Sequence, residues 1–118
     1  MLPKVNRADK KTLDIFFSSD PNRKKVFRTA HSTLFSVKST ETDTKESRFT
    51  FVVSSSVEKT AVGRNLLKRR ARAIVAKSLN KLKGGHVVMF IFKKPAVTAE
   101  FKDLEKEIEL VFPKIGLI

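Results

Sequence analysis

The sequence predicts an α+β fold. It is a two-layer sandwich in the order α-β-β-β-α-β-α, with helices packed on a four-stranded sheet and a strand-helix-strand crossover in its second half. Three observations predict it. Residues 48–54, RFTFVVS, alternate and are β-branched or aromatic, as a half-buried strand requires. Residues 86–92, HVVMFIF, are continuously apolar, as expected of a strand covered on both faces. Between them runs a long amphipathic segment with helical periodicity, from Ala61 to about Lys83.

The remaining elements follow in chain order. Asn6 is an N-cap candidate and Asp9 an acid in the first turn of a helix. Leu13, Phe16 and Phe17 fall at helical spacing, and Ser18 to Pro21, SSDP, stops that helix. Residues 23–29, RKKVFRT, and 32–39, STLFSVKS, are β-rich and read as two short strands or one bent strand. Thr40 to Ser47, TETDTKES, is polar and reads as a solvated loop. Thr60 is the expected N-cap of the long helix and Gly84 its C′ residue. KKP ends the apolar strand. Thr98 is placed to cap a last helix whose apolar stripe is Phe101, Leu104, Ile108, Val111 and Phe112, with Pro113 as its stop. No repeat, low-complexity tract or linker interrupts the 118 residues, so residues 1–118 form one expected domain.

The net charge is +13 and the pI about 10.4, although 41% of residues are hydrophobic. A surplus that large opposes compactness and implies a polyanionic partner, with nucleic acid the leading candidate. A membrane is a weak one, because the longest apolar run, Val87 to Phe92, is far too short to span a bilayer. The N-terminus has no apolar segment of the kind that directs secretion. The absence of cysteine removes disulfides, thiolate nucleophiles and cysteine zinc sites, and is compatible with a reducing cytoplasm. Tyr and Trp are also missing, which leaves ten Phe as the ring faces for stacking.

The charge is concentrated. No Asp or Glu occurs from Lys59 through Ala99, whereas Glu100 to Glu109 is rich in acids. Advancing about 100° per residue, Arg64, Lys68, Arg72, Asn65 and Arg69 share one face of the long helix. Leu67, Ala71, Ile74, Ser78 and Leu82 take an adjacent face, and Val75 and Leu79 fall nearer the basic one. An ordinary solvated face mixes signs and gains pairs four residues apart. Here the neighbours are like charges that cost a few tenths of a kcal/mol each. Phosphates would remove that cost. Arg suits them through its planar fork, and the Asn65 amide suits a base edge or 2′-OH.

These residues carry a resemblance. Ala61, Arg64, Asn65, Lys68, Arg69 and Arg72 follow the pattern A-x-x-R-N-x-x-K-R-x-x-R, which resembles the signature helix of the protein component of bacterial ribonuclease P. LPKVNR near the N-terminus, RFTFVVSSSVEKTAV before the helix and HVVMFIFKKPAV after it resemble the same family in the same order. The resemblance implies a left-handed crossover, the rarer hand. It implies a protein subunit, not itself catalytic, of an endoribonuclease that removes the 5′ leader of precursor tRNA. The RNA carries out that hydrolysis with magnesium held mainly by RNA. The implied partners are ribonuclease P RNA and precursor tRNA, with no obligate protein partner, and the implied location is the cytoplasm. By position, Arg64, Asn65, Lys68, Arg69 and Arg72 are expected to contact the catalytic RNA. The leader is expected in a central cleft of sheet and first helix lined by Phe17, Phe35 and, in place of an aromatic, Leu13. Stacking there contributes about 1–3 kcal/mol per base and tolerates any sequence.

The chain also departs from the family. Leu66 stands where Arg or Lys is common, Ser55 and Ser56 replace a frequent Lys-Lys, Glu58 replaces a frequent Gly, and Arg70 occupies a usually apolar position. No protein catalytic site is expected. His31 and His86 lie in different strands, and Ser54 to Ser56 lack the context of an activated serine. Glu41, Asp43 and Glu46 lack the glycine and final carboxylate of a calcium loop. The rival readings are a ribosomal or other structural RNA-binding protein without a role in cleavage, and an architectural DNA-binding protein. Neither accounts for the matching segments on both sides of the helix.

Overall fold

The computed structural model describes residues 28–41 and 45–118. The expected first helix, with Asn6, Asp9, Leu13, Phe16 and Phe17, lies outside the described residues. So do its SSDP stop, residues 23–27 of the first strand, and Asp43.

The segments read as two short strands are two strands: β1 is Arg28–His31 and β2 is Phe35–Glu41. β3 is Arg48–Val52, two residues shorter than its alternating run. Helix α1 is Ala61–Ser78, strand β4 is His86–Phe92, and helices α2 and α3 are Lys94–Thr98 and Phe101–Lys114. The sheet order is β1-β2-β4-β3. β2 is antiparallel to β1 and to β4, whereas β3 and β4 are parallel. Parallel neighbours need a crossover, and α1 supplies it.

Register decides which side chains form the core. Phe35 and Val37 of β2 lie opposite Phe92 and Phe90 of β4, while Phe49 and Phe51 of β3 lie opposite Val88 and Phe90. Alternation puts all of these on one face, and helices α1 and α3 cover it. Leu67, Ala71, Ile74 and Val75 reach down from α1; Leu104, Ile108, Val111 and Phe112 from α3. Phe35 meets Phe90 edge-on at a centroid distance of 5.3 Å, and Phe51 stacks on Phe90 at 5.4 Å. Such pairs add about 0.5–1.5 kcal/mol each to their area burial. The other face of β4 presents Val87 and Met89, which are also buried, so the continuous apolar run is explained.

Four boundary expectations need correction. The long helix does not run to Lys83 with Gly84 as its C′ residue. It ends at Ser78 and tightens into a 3-10 turn over Leu79–Lys81. Gly85, not Gly84, takes the left-handed φ of 79°. Gly84 is needed for closeness instead, because a Cβ there would strike the Lys45 carbonyl oxygen. Thr98 does not cap the last helix. It closes the short α2, which carries Pro95 in its first turn, and the N-cap of α3 is Glu100. Pro113 does not stop α3 but lies in its last turn. The stop is Gly116, with φ of 80°. Leu117 N–H donates to the Phe112 carbonyl at 2.9 Å and Gly116 N–H to that of Pro113 at 3.3 Å, forming a Schellman motif. The expected loop over Thr40 to Ser47 is only partly one. β2 continues through Glu41, Thr40 is buried, and buried Ser47 donates its hydroxyl to the Lys83 carbonyl at 2.6 Å.

Candidate nucleic-acid interface

The basic helix begins in a built cap. Thr60 is extended, at φ −86° and ψ 140°, and its hydroxyl accepts from Gly63 N–H at 3.0 Å. The Glu58 carboxylate supports that cap by accepting from the Thr60 N–H at 3.1 Å and hydroxyl at 3.2 Å. Gly63 leaves the room, since a Cβ there would come within 2.7 Å of the Glu58 carboxyl carbon. Glu58, where the resembled family often has Gly, therefore anchors the start of α1.

Arg64 is tied to the same turn. Its Nη1 donates to the carbonyl oxygens of Glu58 and Lys59, both at 2.9 Å. A guanidinium has further donors, and those of Nε and Nη2 are not used in these bonds. Leu67, Ala71, Ile74, Val75 and Ser78 are buried and fix the roll of the helix. That roll leaves Asn65 and Arg69 exposed, with Lys68 and Arg72 half-buried beside them. The structure thus brings Arg64, Asn65, Lys68, Arg69 and Arg72 onto one continuous surface.

Arg70 is not part of that stripe. It lies seven residues before Lys77, two turns along the same flank. Lys77 reaches across to Glu105 of α3 at 2.9 Å, so this flank faces α3. Arg64, Lys68 and Arg72, spaced by four, climb the opposite flank. Arg70 therefore lies off the stripe, one turn beyond Leu66 on the α3 side of the helix. Among the described residues, no carboxylate pairs with Arg64, Lys68, Arg69, Arg70 or Arg72. Glu105 serves only the C-terminal end of α1.

The leader-cleft expectation requires a correction. Phe35 is fully buried, with its ring edge-on to Phe90 and Phe92. Its odd position in β2 directs it under the helices, into the core. Leu13 and Phe17 lie outside the described residues. The sheet face turned away from α1 and α3 carries residues that sequence reasoning missed: His31, Ser36, Lys38, Thr50, Val52 and Ile91. Lys38 and Val52 are exposed, Ser36, Thr50 and Ile91 are half-buried, and His31 Nδ1 lies 3.1 Å from Ser36 Oγ. The signal was present in the alternation of Phe35 and Val37 with Ser36 and Lys38.

His86 shares no cluster with His31. It starts β4 with its Nδ1 3.0 Å from the Gly84 carbonyl oxygen and its Nε2 4.0 Å from Glu41. Among the described residues, no group of three or more His, Cys, Asp or Glu is placed to hold a metal ion, and no helix is long and apolar enough to cross a membrane.

Comparison with known proteins gives a consistent result. The sequence model of the family described as Ribonuclease P matches residues 15–116. The chain is 30% identical over 95 residues to the ribonuclease P protein component of Microcystis aeruginosa, covering 80% of this chain and 79% of that one. It is 33% identical over 72 residues to that of a Synechocystis species, covering 61% and 58%. The fold is similar to the RNase P protein of Staphylococcus aureus, with a TM-score of 0.77 at 19% identity over 97% of this chain and 98% of that one. It is similar also to the RNase P protein from Thermotoga maritima, at 0.75 and 20% over 93% and 97%.

Proposed function

This chain belongs to the ribonuclease P protein family, and from that membership we propose that it is the protein subunit of a ribonuclease P. In this reading it binds the catalytic RNA and the 5′ leader of precursor tRNA, and the RNA performs the cleavage. The observation that carries it is the stripe of Lys68, Arg69 and Arg72, which pairs with no carboxylate among the described residues and is anchored at its start by Arg64. A folded RNA supplies phosphates at the density such a stripe needs. The Arg forks hold them bidentately and Asn65 adds a neutral donor and acceptor between them.

The leader lies along the sheet face opposite α1 and α3, over Lys38, Thr50, Val52 and Ile91; Leu13 and Phe17, outside the described residues, are further candidates for contact with it. Weak, apolar and backbone-directed contacts suit a strand whose sequence varies. No hydrolytic step is assigned to this chain in this reading; the RNA performs it. Magnesium sits with RNA phosphates, and the protein lowers the concentration of it that the reaction requires by screening those phosphates. The cytoplasm is the expected setting.

Reconstitution tests the reading. The chain is mixed with a bacterial ribonuclease P RNA and precursor tRNA at low magnesium, and 5′ leader release is followed. Release faster than with RNA alone is expected. Tight RNA binding without stimulation would favour a structural RNA-binding protein instead.

A further inference from the structure

Two apolar side chains stand exposed on the crest of α1. Val62 is 80% exposed and Leu66 44%. Four residues apart, they are neighbours on one helix face. Asn65 and Arg69 flank them on one side and Arg70 on the other, and Lys59 precedes them. A single exposed aliphatic residue is ordinary. An adjacent pair beside Lys59, Arg69 and Arg70, on a helix whose one ion pair among the described residues is at its far end, is not scattered background.

The surrounding charge says what covers it. The partner must be anionic around the patch and apolar at its centre. An A-form duplex meets the first requirement only, because it shows phosphates and 2′-hydroxyls and keeps its bases stacked inside. An unpaired nucleotide meets both, since a splayed base offers an apolar face and its own backbone carries the charge.

We propose that Val62 and Leu66 form a seat for one unpaired base of the RNA bound by α1, with Asn65 and Arg69 holding the phosphates beside it. The proposal rests on the RNA-binding reading of α1 and adds a preference to it. The helix selects an interrupted duplex, and Leu66 is where this chain exchanges a cation for that selectivity.

The test uses the full chain and two hairpin RNAs of equal length, one with a fully paired stem and one with a single bulged adenosine. The wild-type chain should bind the bulged RNA roughly three- to tenfold more tightly. The double substitution Val62→Ala with Leu66→Ala should abolish that gap, leave paired-stem affinity unchanged, and leave the slope of log affinity against log salt unchanged. Leu66→Lys should close the gap from the other side, tightening the paired stem and steepening its slope by about one charge. Both positions are exposed and alanine favours helix, so thermal melting should confirm an intact fold. Equal binding of both hairpins by the wild-type chain, or equal loss on both in the double variant, would overturn the proposal. Lys68→Ala separates this from failure of the underlying reading, since it should weaken both hairpins and flatten the slope. No effect of Lys68→Ala, or preference for an acidic peptide over both RNAs, would overturn the RNA reading and this inference together.

Discussion

Arg64 spends two donors of Nη1 on the carbonyl oxygens of Glu58 and Lys59, so it belongs to the cap of α1 as well as to its cationic face. Lys68, one turn later, makes no such bond and is the cleaner probe of binding. Lys68→Ala should reduce the salt slope of RNA affinity by about one and leave the melting temperature unchanged. Arg64→Ala should weaken binding similarly and also cost about 1 kcal/mol of stability, measured by denaturant unfolding, because two charged hydrogen bonds at the helix start are lost. A stable Arg64→Ala protein would show that the cap does not depend on it. Phe35 poses the opposite question. Its ring sits between Phe90 and Phe92 with no solvent contact. Phe35→Ala should cost about 3–5 kcal/mol, as large core truncations do. A binding defect without loss of stability would return this residue to the leader cleft.

The helices end by devices that do not follow from their apolar stripes. At α3, the stripe predicts burial correctly for Leu104, Ile108, Val111 and Phe112, but Phe101 is 40% exposed. The chain reverses at Gly116, where a left-handed φ allows the paired bonds to Phe112 and Pro113 and lets Leu117 bury itself. A Cβ at this position would also meet the Arg28 guanidinium. Gly116→Ala should therefore destabilise the protein by about 1–2 kcal/mol, read as a lower urea midpoint with unchanged m-value. An unshifted midpoint would mean that the C-terminal turn contributes nothing to global stability. At α1, by contrast, the expected N-cap Thr60 is the observed one, because capping is decided within a few residues and needs no distant partner.

At the scale of the molecule, acids and bases are kept apart. α3 holds most of the acids of the second half, but among the described residues its only ion pair with α1 is Glu105 with Lys77. The rest of the +13 charge repels itself in the free protein. Added salt, and RNA still more, should raise the melting temperature, salt by screening and RNA by binding the folded state alone. A melting temperature that does not move between low and moderate salt would show that this repulsion is already relieved within the chain.

The basic stripe, the four strands and the long crossover helix were legible in the sequence because each rests on a local period. Leu67, Ala71 and Ile74 define the buried side of α1 by spacing alone, and that automatically turns Asn65 and Arg69 outward. Family membership was legible in the same residues. Tertiary structure decided what depends on pairing across the chain. It set the order β1-β2-β4-β3, the parallel match of β3 with β4, and hence which alternate residues of β2 face the helices. A strand's period of two gives two faces but not which one is covered. That choice buried Phe35 and exposed Lys38. Likewise the sequence counts Arg70 among the cations of α1. Only the contact of Lys77 with Glu105 shows that Arg70 looks toward α3, away from the stripe, because direction around a helix acquires meaning only when a neighbour is docked.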